Sequence, residues 1–199
     1  MSEGLKIVGS EPDDIEIIRS VVRGDAEAYA VIVRRYQDRV LRLCFSILGG
    51  MDAEDAAQEV FLKAYDSLDR FRMEASFSTW LYAIAYRHCL NLLDKRNRRK
   101  TESLDALKEK MGERADSLAA EPERSGREDA AAAVRPLLEG LSHDERAILA
   151  LRELEALSYK EIARTLGISV DAVKIRLFRA RAAFREAARS RNFPRPETV

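Results

Sequence analysis

Five cations stand on one predicted helix towards the end of the chain: Lys174, Arg176, Arg179, Arg181 and Arg185. Among them Val173, Leu177, Ala180 and Phe184 recur at steps of four, three and four, the period of a single buried helical stripe. Arg176 and Arg179 point away from that stripe, while Lys174, Arg181 and Arg185 form a row on its flank. Cations so arranged suit nucleic acid, with exposed side chains near base edges and flanking ones near phosphates. Just upstream, Ser158 followed by Glu161 is a capping box that opens another helix. Gly167 supplies the positive φ of a tight reversal, and Ser169 caps the cationic helix. From Leu157 to Arg185 the pattern is that of a helix-turn-helix, whose second helix enters a major groove.

A second group of reactive types is acidic. Asp52, Asp55 and Glu59 share one helical face, opposite the apolar face of Ala53, Ala56, Ala57, Val60, Phe61 and Ala64. Three readings of this face stand side by side: a solvated surface, a docking patch for a basic partner, or carboxylate metal ligands. Helical dimetal sites draw on Glu-x-x-His pairs, and neither His88 nor His143 follows such a Glu. No metal and no cofactor are therefore expected. Cys44 and Cys89 lie inside helical apolar patterns, far apart and without metal-ligand spacing, and read as buried free thiols.

A third group combines aromatic and basic residues. Trp80, Ile84, Arg87, Asn91 and Arg98 line one side of a helix that starts at a Ser78 or Thr79 cap and fades into the run KRNRRK at 95–100. Phe71 and Phe77 flank the loop before it. Stacking surface beside positive charge is the requirement for holding unstacked bases over a tracked backbone. The competing structural reading makes the aromatics core residues and the basic run a helix C-terminus favoured by the macrodipole.

The elements that must position these groups are all helical. No segment alternates with period two, and no proline falls between residues 13 and 121. A short helix spans about Asp14 to Val22. Gly24 and Asp25 then break and cap before a long helix with Tyr29, Ile32, Val33, Tyr36, Val40, Leu43 and Ile47 on one side, ended by Gly49 and Gly50. Asp52 is read as the cap of the next helix. The expected fold is all-α: an N-terminal helical bundle over 12–100, an acidic flexible linker over 101–127, and a helix-turn-helix domain over 128–191.

The composition, 46% hydrophobic and 34% charged, fits a soluble globular protein, and the formal net charge is zero. That neutrality conceals segregation. Residues 160–191 hold nine Lys or Arg against Glu161, Asp171 and Glu186, whereas 101–129 hold nine acids against five basic residues. Apolar runs are short and no leader pattern opens the chain, so neither a membrane span nor a secretory signal is read, and a cytoplasmic location is expected.

Together, DAEDAAQEVFLKAY (52–65), FRMEASFSTWLYAIAYRHCLNLLDKRNRR (71–99) and LSHDERAILALRELEALSYKEIARTLGISVDAVKIRLFRARAAF (141–184) resemble the extracytoplasmic-function group of bacterial RNA polymerase sigma factors. The resemblance implies two domains, one opening the minus-ten promoter element and one binding the minus-thirty-five element as duplex. It implies that Asp52, Asp55, Gln58, Glu59 and Leu62 dock the clamp of the largest subunit of core RNA polymerase. The flap of the second-largest subunit becomes a further contact. Phe71, Arg72, Glu74, Ser76, Phe77, Trp80, Arg87, Asn91, Lys95 and Arg98 would hold melted non-template strand, with an extruded base captured beside the loop. Ser169, Val170, Lys174, Ile175, Arg176, Arg179 and Arg181 would meet the upstream duplex. The linker would thread the polymerase's RNA channel, and an anti-sigma factor would hold the protein inactive.

No catalysis is implied, because strand opening follows from binding the single-stranded state better. The chain departs from the family pattern at Met73 and Asp171, where glycine is common, at Arg87, where asparagine is common, and at Ser142, which replaces proline and can itself cap. The rival reading is a stand-alone helix-turn-helix regulator that binds palindromic operators as a dimer. No dedicated dimerisation helix is present in the pattern, and the free protein is expected to be a monomer.

Overall fold

In the computed structural model, residues 13–50, 52–110, 137–138 and 140–191 are described, with side chains omitted over 102–110. All the regular structure among them is helical. Helix α1 (Asp14–Val22) buries Ile17, Ile18 and Val21. The Asp25 carboxylate accepts from the Ala28 N–H and starts a single 3₁₀ turn that runs into α2 (Tyr29–Leu48). Gly49, at φ 81°, ends α2 in the left-handed conformation, its N–H donating to the Phe45 carbonyl. Helix α3 (Ala53–Asp66) follows, with Asp52 at the N-cap position but making no side-chain cap hydrogen bond.

Helix α4 (Phe77–Lys110) starts two residues earlier than a Ser78 cap predicts and three earlier than a Thr79 cap does. Ser76 takes that role, its Oγ accepting from the Thr79 N–H at 3.2 Å. It also runs further, carrying KRNRRK and the first ten residues of the predicted linker as helix. Residues 111–127 of that linker lie outside the described residues.

The buried alanines of α3, Ala53, Ala56, Ala57 and Ala64, let it lie close against α2 and α4, where Ile32, Val40, Leu43, Ile47, Val60 and Leu81 are fully enclosed. The Tyr29 hydroxyl donates to the Phe61 carbonyl at 2.7 Å, tying α2 to α3.

In the C-terminal half, α5 (His143–Leu149) opens on a complete capping box between Ser142 and Glu145. One π turn (Ala150–Leu154) then leads to Glu155 and to Ala156, which has a φ of 54°. Helix α6 (Tyr159–Leu166) opens on the predicted Ser158–Glu161 box, and Gly167 closes it at φ 68°. Ser169 caps α7 (Val170–Ser190) through the Ala172 N–H. Val173, Leu177 and Ala180 form the buried stripe, and Phe184 is half-buried at its end.

The two halves touch. Helix α5 and the π turn lie on α2, and α6 lies on α4, so one continuous hydrophobic core runs through both.

Candidate nucleic-acid interface

Helix α7 turns its stripe inward and leaves Lys174, Ile175, Phe178, Arg179 and Arg181 exposed. Several of its cations already have partners. Lys174 pairs with Asp171 at 2.9 Å, and Arg176 reaches Asp144 at 3.2 Å. Arg181 holds Glu153 through two nitrogens, and the hydrogen bond to that carboxylate raises its pKa further. Arg179 has no ion pair among the described residues.

Ser169 is exposed with its Oγ committed to the cap, and Val170 is half-buried. Phe178, 70% exposed, was not singled out by the sequence pattern. The signal was there: an aromatic residue one step off the buried stripe of a cationic helix has nothing in its own domain to pack on. Beside the turn, a shallow concavity of about 410 Å³ is flanked by Lys160, Arg164 and Ser169.

On α4, Arg87, Asn91, Lys95 and Arg98 are all exposed, at steps of four, four and three, so they make one open row. Trp80, at the head of the row, is half-buried. Its ring lies 5.3 Å from Phe71 and 5.5 Å from Phe77, which meet each other edge-on at 5.6 Å. Phe71 and Phe77 are buried, so in this arrangement they support the Trp80 ring and the loop from beneath. Arg72, Met73 and Glu74 form the exposed tip of that loop, and the exposed Ser76 ends it. Met73 adopts φ 58°, the left-handed conformation that glycine takes without a steric penalty. The family's usual glycine at this position has its physical reason here.

The acidic face of α3 is solvent-exposed at Asp52, Asp55, Gln58 and Glu59, and Leu62 beside it is 66% exposed. Tyr65 continues the apolar edge. Glu59 accepts from Lys63 at 2.9 Å, and that hydrogen bond and charge hold its carboxyl below the usual value. Beneath it, His88 is buried with Nε2 3.4 Å from Glu59 but without a hydrogen bond. Burial and the charge of Lys63 push the imidazole below its ordinary pKa. No group of three or more His, Cys, Asp or Glu that could hold a metal occurs among the described residues. Cys44 and Cys89 are neighbours in the core, and the Cys89 hydrogen bond with burial raises the Cys44 thiol far from reactivity. No described helix is long and apolar enough to cross a membrane.

Residues 32–99 match the sigma-70 region 2 family, and residues 131–184 match sigma-70 region 4. The RNA polymerase sigma-H factor of Pseudomonas aeruginosa is 37% identical over 184 residues, covering 89% of this chain and 95% of that protein. The ECF RNA polymerase sigma-E factor of Escherichia coli K12 is 37% identical over 174 residues, covering 85% and 91%. Among solved structures, CnrH in complex with the cytosolic domain of CnrY shares the fold at TM-score 0.65 and 23% identity, covering 89% of this chain and 97% of that one. The sigma factor RpoE of Bartonella quintana, bound to the anti-sigma factor NepR, does so at 0.63 and 22%, covering 81% and 96%. With regions 2 and 4 both matched in order, and relatives that align over nearly their whole length, the chain belongs to the extracytoplasmic-function group of RNA polymerase sigma factors.

Proposed function

We propose that the three exposed faces divide the work of promoter opening between them. The acidic and apolar face of α3, with Asp52, Asp55, Gln58, Glu59 and Leu62, docks the clamp of the polymerase's largest subunit. The open row Arg87, Asn91, Lys95 and Arg98, with Trp80 and the loop tip Arg72–Glu74, holds the melted non-template strand of the minus-ten element. Helix α7 reads the minus-thirty-five duplex through Lys174, Ile175, Arg176 and Arg179, and Phe178 adds an apolar contact suited to a thymine methyl group. Residues 12–100 and 128–191 act as the two domains, and the segment between them spans the polymerase.

The observation that carries this reading is the presence in one chain of a cationic row on α4 that has no carboxylate partner among the described residues and a groove-sized cationic helix α7. One fits single strands and the other duplex. The protein performs no bond chemistry. Unpairing a base costs a few kcal/mol, and the melted state is favoured because the α4 face binds it and not the duplex. The complexes that CnrH and RpoE form support a further regulator, an anti-sigma factor acting on this chain in the cytoplasm.

Run-off transcription with purified core polymerase and a library of the source genome's promoters tests the reading. Start-site-specific transcripts that depend on the protein are expected. Duplex binding with no transcript from any promoter overturns the reading in favour of a stand-alone regulator.

A further inference from the structure

His88 is buried on α4, 6% exposed, yet its Nε2 makes no hydrogen bond. Across 3.4 Å that nitrogen faces Glu59 Oε2 on α3. The same oxygen accepts from Lys63 Nζ at 2.9 Å. Glu59 and Lys63 are each about half exposed, so one carboxylate stands between an ammonium at the surface and an imidazole in the core. An enclosed polar atom without a partner is rare in a folded protein and calls for a reason. Here the reason lies in what stands above it, the acidic face of α3.

The charged groups that face His88 are Glu59 and Lys63 on α3 and Lys95, two turns on along its own helix. With the imidazole neutral, these groups are one acid and two cations; a further proton makes them one acid and three cations. Burial first, and the charge of Lys63 second, hold the imidazole below its ordinary pKa, so at pH 7 it is neutral. Glu59 is ionised, its carboxyl held low by the Lys63 hydrogen bond and charge. Protonation makes both ring nitrogens donors, and Nε2 then meets the carboxylate as a charged donor. A closer approach of about 0.6 Å turns the contact into a charge-assisted hydrogen bond of ~2.8 Å.

We infer that His88 is a positioning residue for the docking face: neutral, it leaves Glu59 to a basic partner; protonated, it draws the carboxylate inward and sets a cation beneath the face, so docking weakens as pH falls. The inference rests on the reading of α3 as the surface that meets core polymerase. A basic partner and a proton on His88 compete for one carboxylate, and the competition is reciprocal. Docking lowers the affinity of His88 for its proton, and the proton lowers the affinity for polymerase by the same factor.

The direction of the shift sets the window. Above the His88 pKa of the free protein, itself below the usual ~6.5, docking does not depend on this group. Below it, affinity falls by up to ~10-fold for each pH unit by which docking depresses that pKa. His88 and His143 are the chain's two histidines, the side chains that ordinarily titrate in this range, and His143 on α5 provides the control.

Two measurements on the full chain test the inference. The first is an NMR titration of both imidazoles in the free protein. Glu59→Gln keeps the shape of the side chain but removes the charge that favours imidazolium, so it should lower the His88 pKa by ~0.5 or more and leave His143 unmoved. The second is affinity for core polymerase from about pH 7.5 down to about pH 5.5. Wild type should lose about 5-fold more affinity over this range than His88→Gln, which cannot gain a proton, while the two agree at the upper end. His143→Gln should follow wild type. Titration of the polymerase itself moves all forms alike and cancels in the ratio. Glu59→Gln binds more weakly throughout, but its profile should run parallel to that of His88→Gln, so an exposed substitution carries the test if the buried one fails to fold.

A His88 titration indifferent to Glu59→Gln overturns the inference. So do wild-type and Glu59→Gln profiles that run parallel while Asp55→Arg still weakens polymerase binding, and in that case the docking reading stands. Undiminished polymerase binding by Asp55→Arg overturns the docking reading and the role of His88 together.

Discussion

Helices α4 and α7 are both long, both cationic and both assigned to nucleic acid, yet they hold their charges differently. On α7 the cations Lys174, Arg176, Arg181 and Arg189 each have a carboxylate partner, at distances from 2.7 to 3.8 Å. On α4, Arg87, Lys95 and Arg98 have no carboxylate partner among the described residues, and Arg98 makes only a long contact to the Asp94 carbonyl of its own helix. The α4 row therefore meets an incoming strand with no paired carboxylate to displace among the described residues, whereas most of the α7 cations must exchange a protein carboxylate for a phosphate or base. Exchange weakens binding but sharpens selection, because a poorly matched duplex does not replace the bond it displaces. Arg179 and Arg185 have no ion pair among the described residues, and Arg179, at the centre of the exposed α7 face, is the one placed to read sequence at once.

The largest effect that would separate the two surfaces concerns neither helix directly. Asp55→Arg places a cation in the acidic face of α3, and if that face docks a basic partner it should cost about 2–5 kcal/mol in core-polymerase affinity. Duplex binding by the same protein should be unchanged. Equal losses in a polymerase pull-down and a duplex shift assay would instead mean that α3 supports the whole fold. Next, replacing Arg87, Lys95 and Arg98 together by alanine removes three unpaired cations. For single-stranded DNA, the slope of log affinity against log salt should become shallower by about 2, a loss of ~100-fold at 0.1 M salt. A loss confined to duplex DNA would reverse the assignment of the helices.

How much of this was legible in the sequence depends on the range of the interaction. The caps at Ser158 and Ser169, the turn at Gly167 and the stripe Val173, Leu177 and Ala180 each depend on steps of no more than four residues, and each forms as the pattern predicts. The cap of α4 differs from the predicted Ser78 or Thr79 because Ser76, Ser78 and Thr79 all have cap chemistry. Burial of Phe77 and Thr79 decides among them in favour of Ser76.

Helix α4 runs past the end that its apolar periodicity predicts for a related reason. Beyond Leu93 it has no apolar face to show periodicity, and side chains of good intrinsic helix propensity extend it without one. Phe71 and Phe77 illustrate the limit for site residues: composition put aromatics beside cations, but only packing shows that Trp80 lies over the other two. Glu155 was beyond reach altogether. In ALRELEALS it is one of two glutamates, and its partners Arg39, Arg42 and Tyr82 stand more than 70 positions away in sequence.

The single-residue contrast between free and engaged cations lies within α7 itself. Arg179→Ala should weaken binding to the matched upstream element by about 1–3 kcal/mol while leaving unrelated duplexes almost unaffected, measured by competition with base-substituted sites. A uniform loss over all sequences would reduce Arg179 to a phosphate contact and remove the difference from its paired neighbours.

The smallest expected effect tests the pairing directly. Glu153→Gln leaves the shape of the Arg181 partner nearly intact but removes its charge, and both side chains are about half exposed, so the pair contributes only ~0.2–1 kcal/mol. Releasing Arg181 should therefore tighten duplex binding by no more than about 5-fold, with no change in base preference, since a phosphate contact carries no sequence information. The gain should fade as salt rises, because the same ions screen the carboxylate in the wild type. If binding does not tighten at low salt, the carboxylates along α7 do not compete with DNA, and the distinction between an open row on α4 and an occupied one on α7 loses its energetic meaning. If it tightens and base preference also changes, Arg181 is a reader whose access to the bases Glu153 controls.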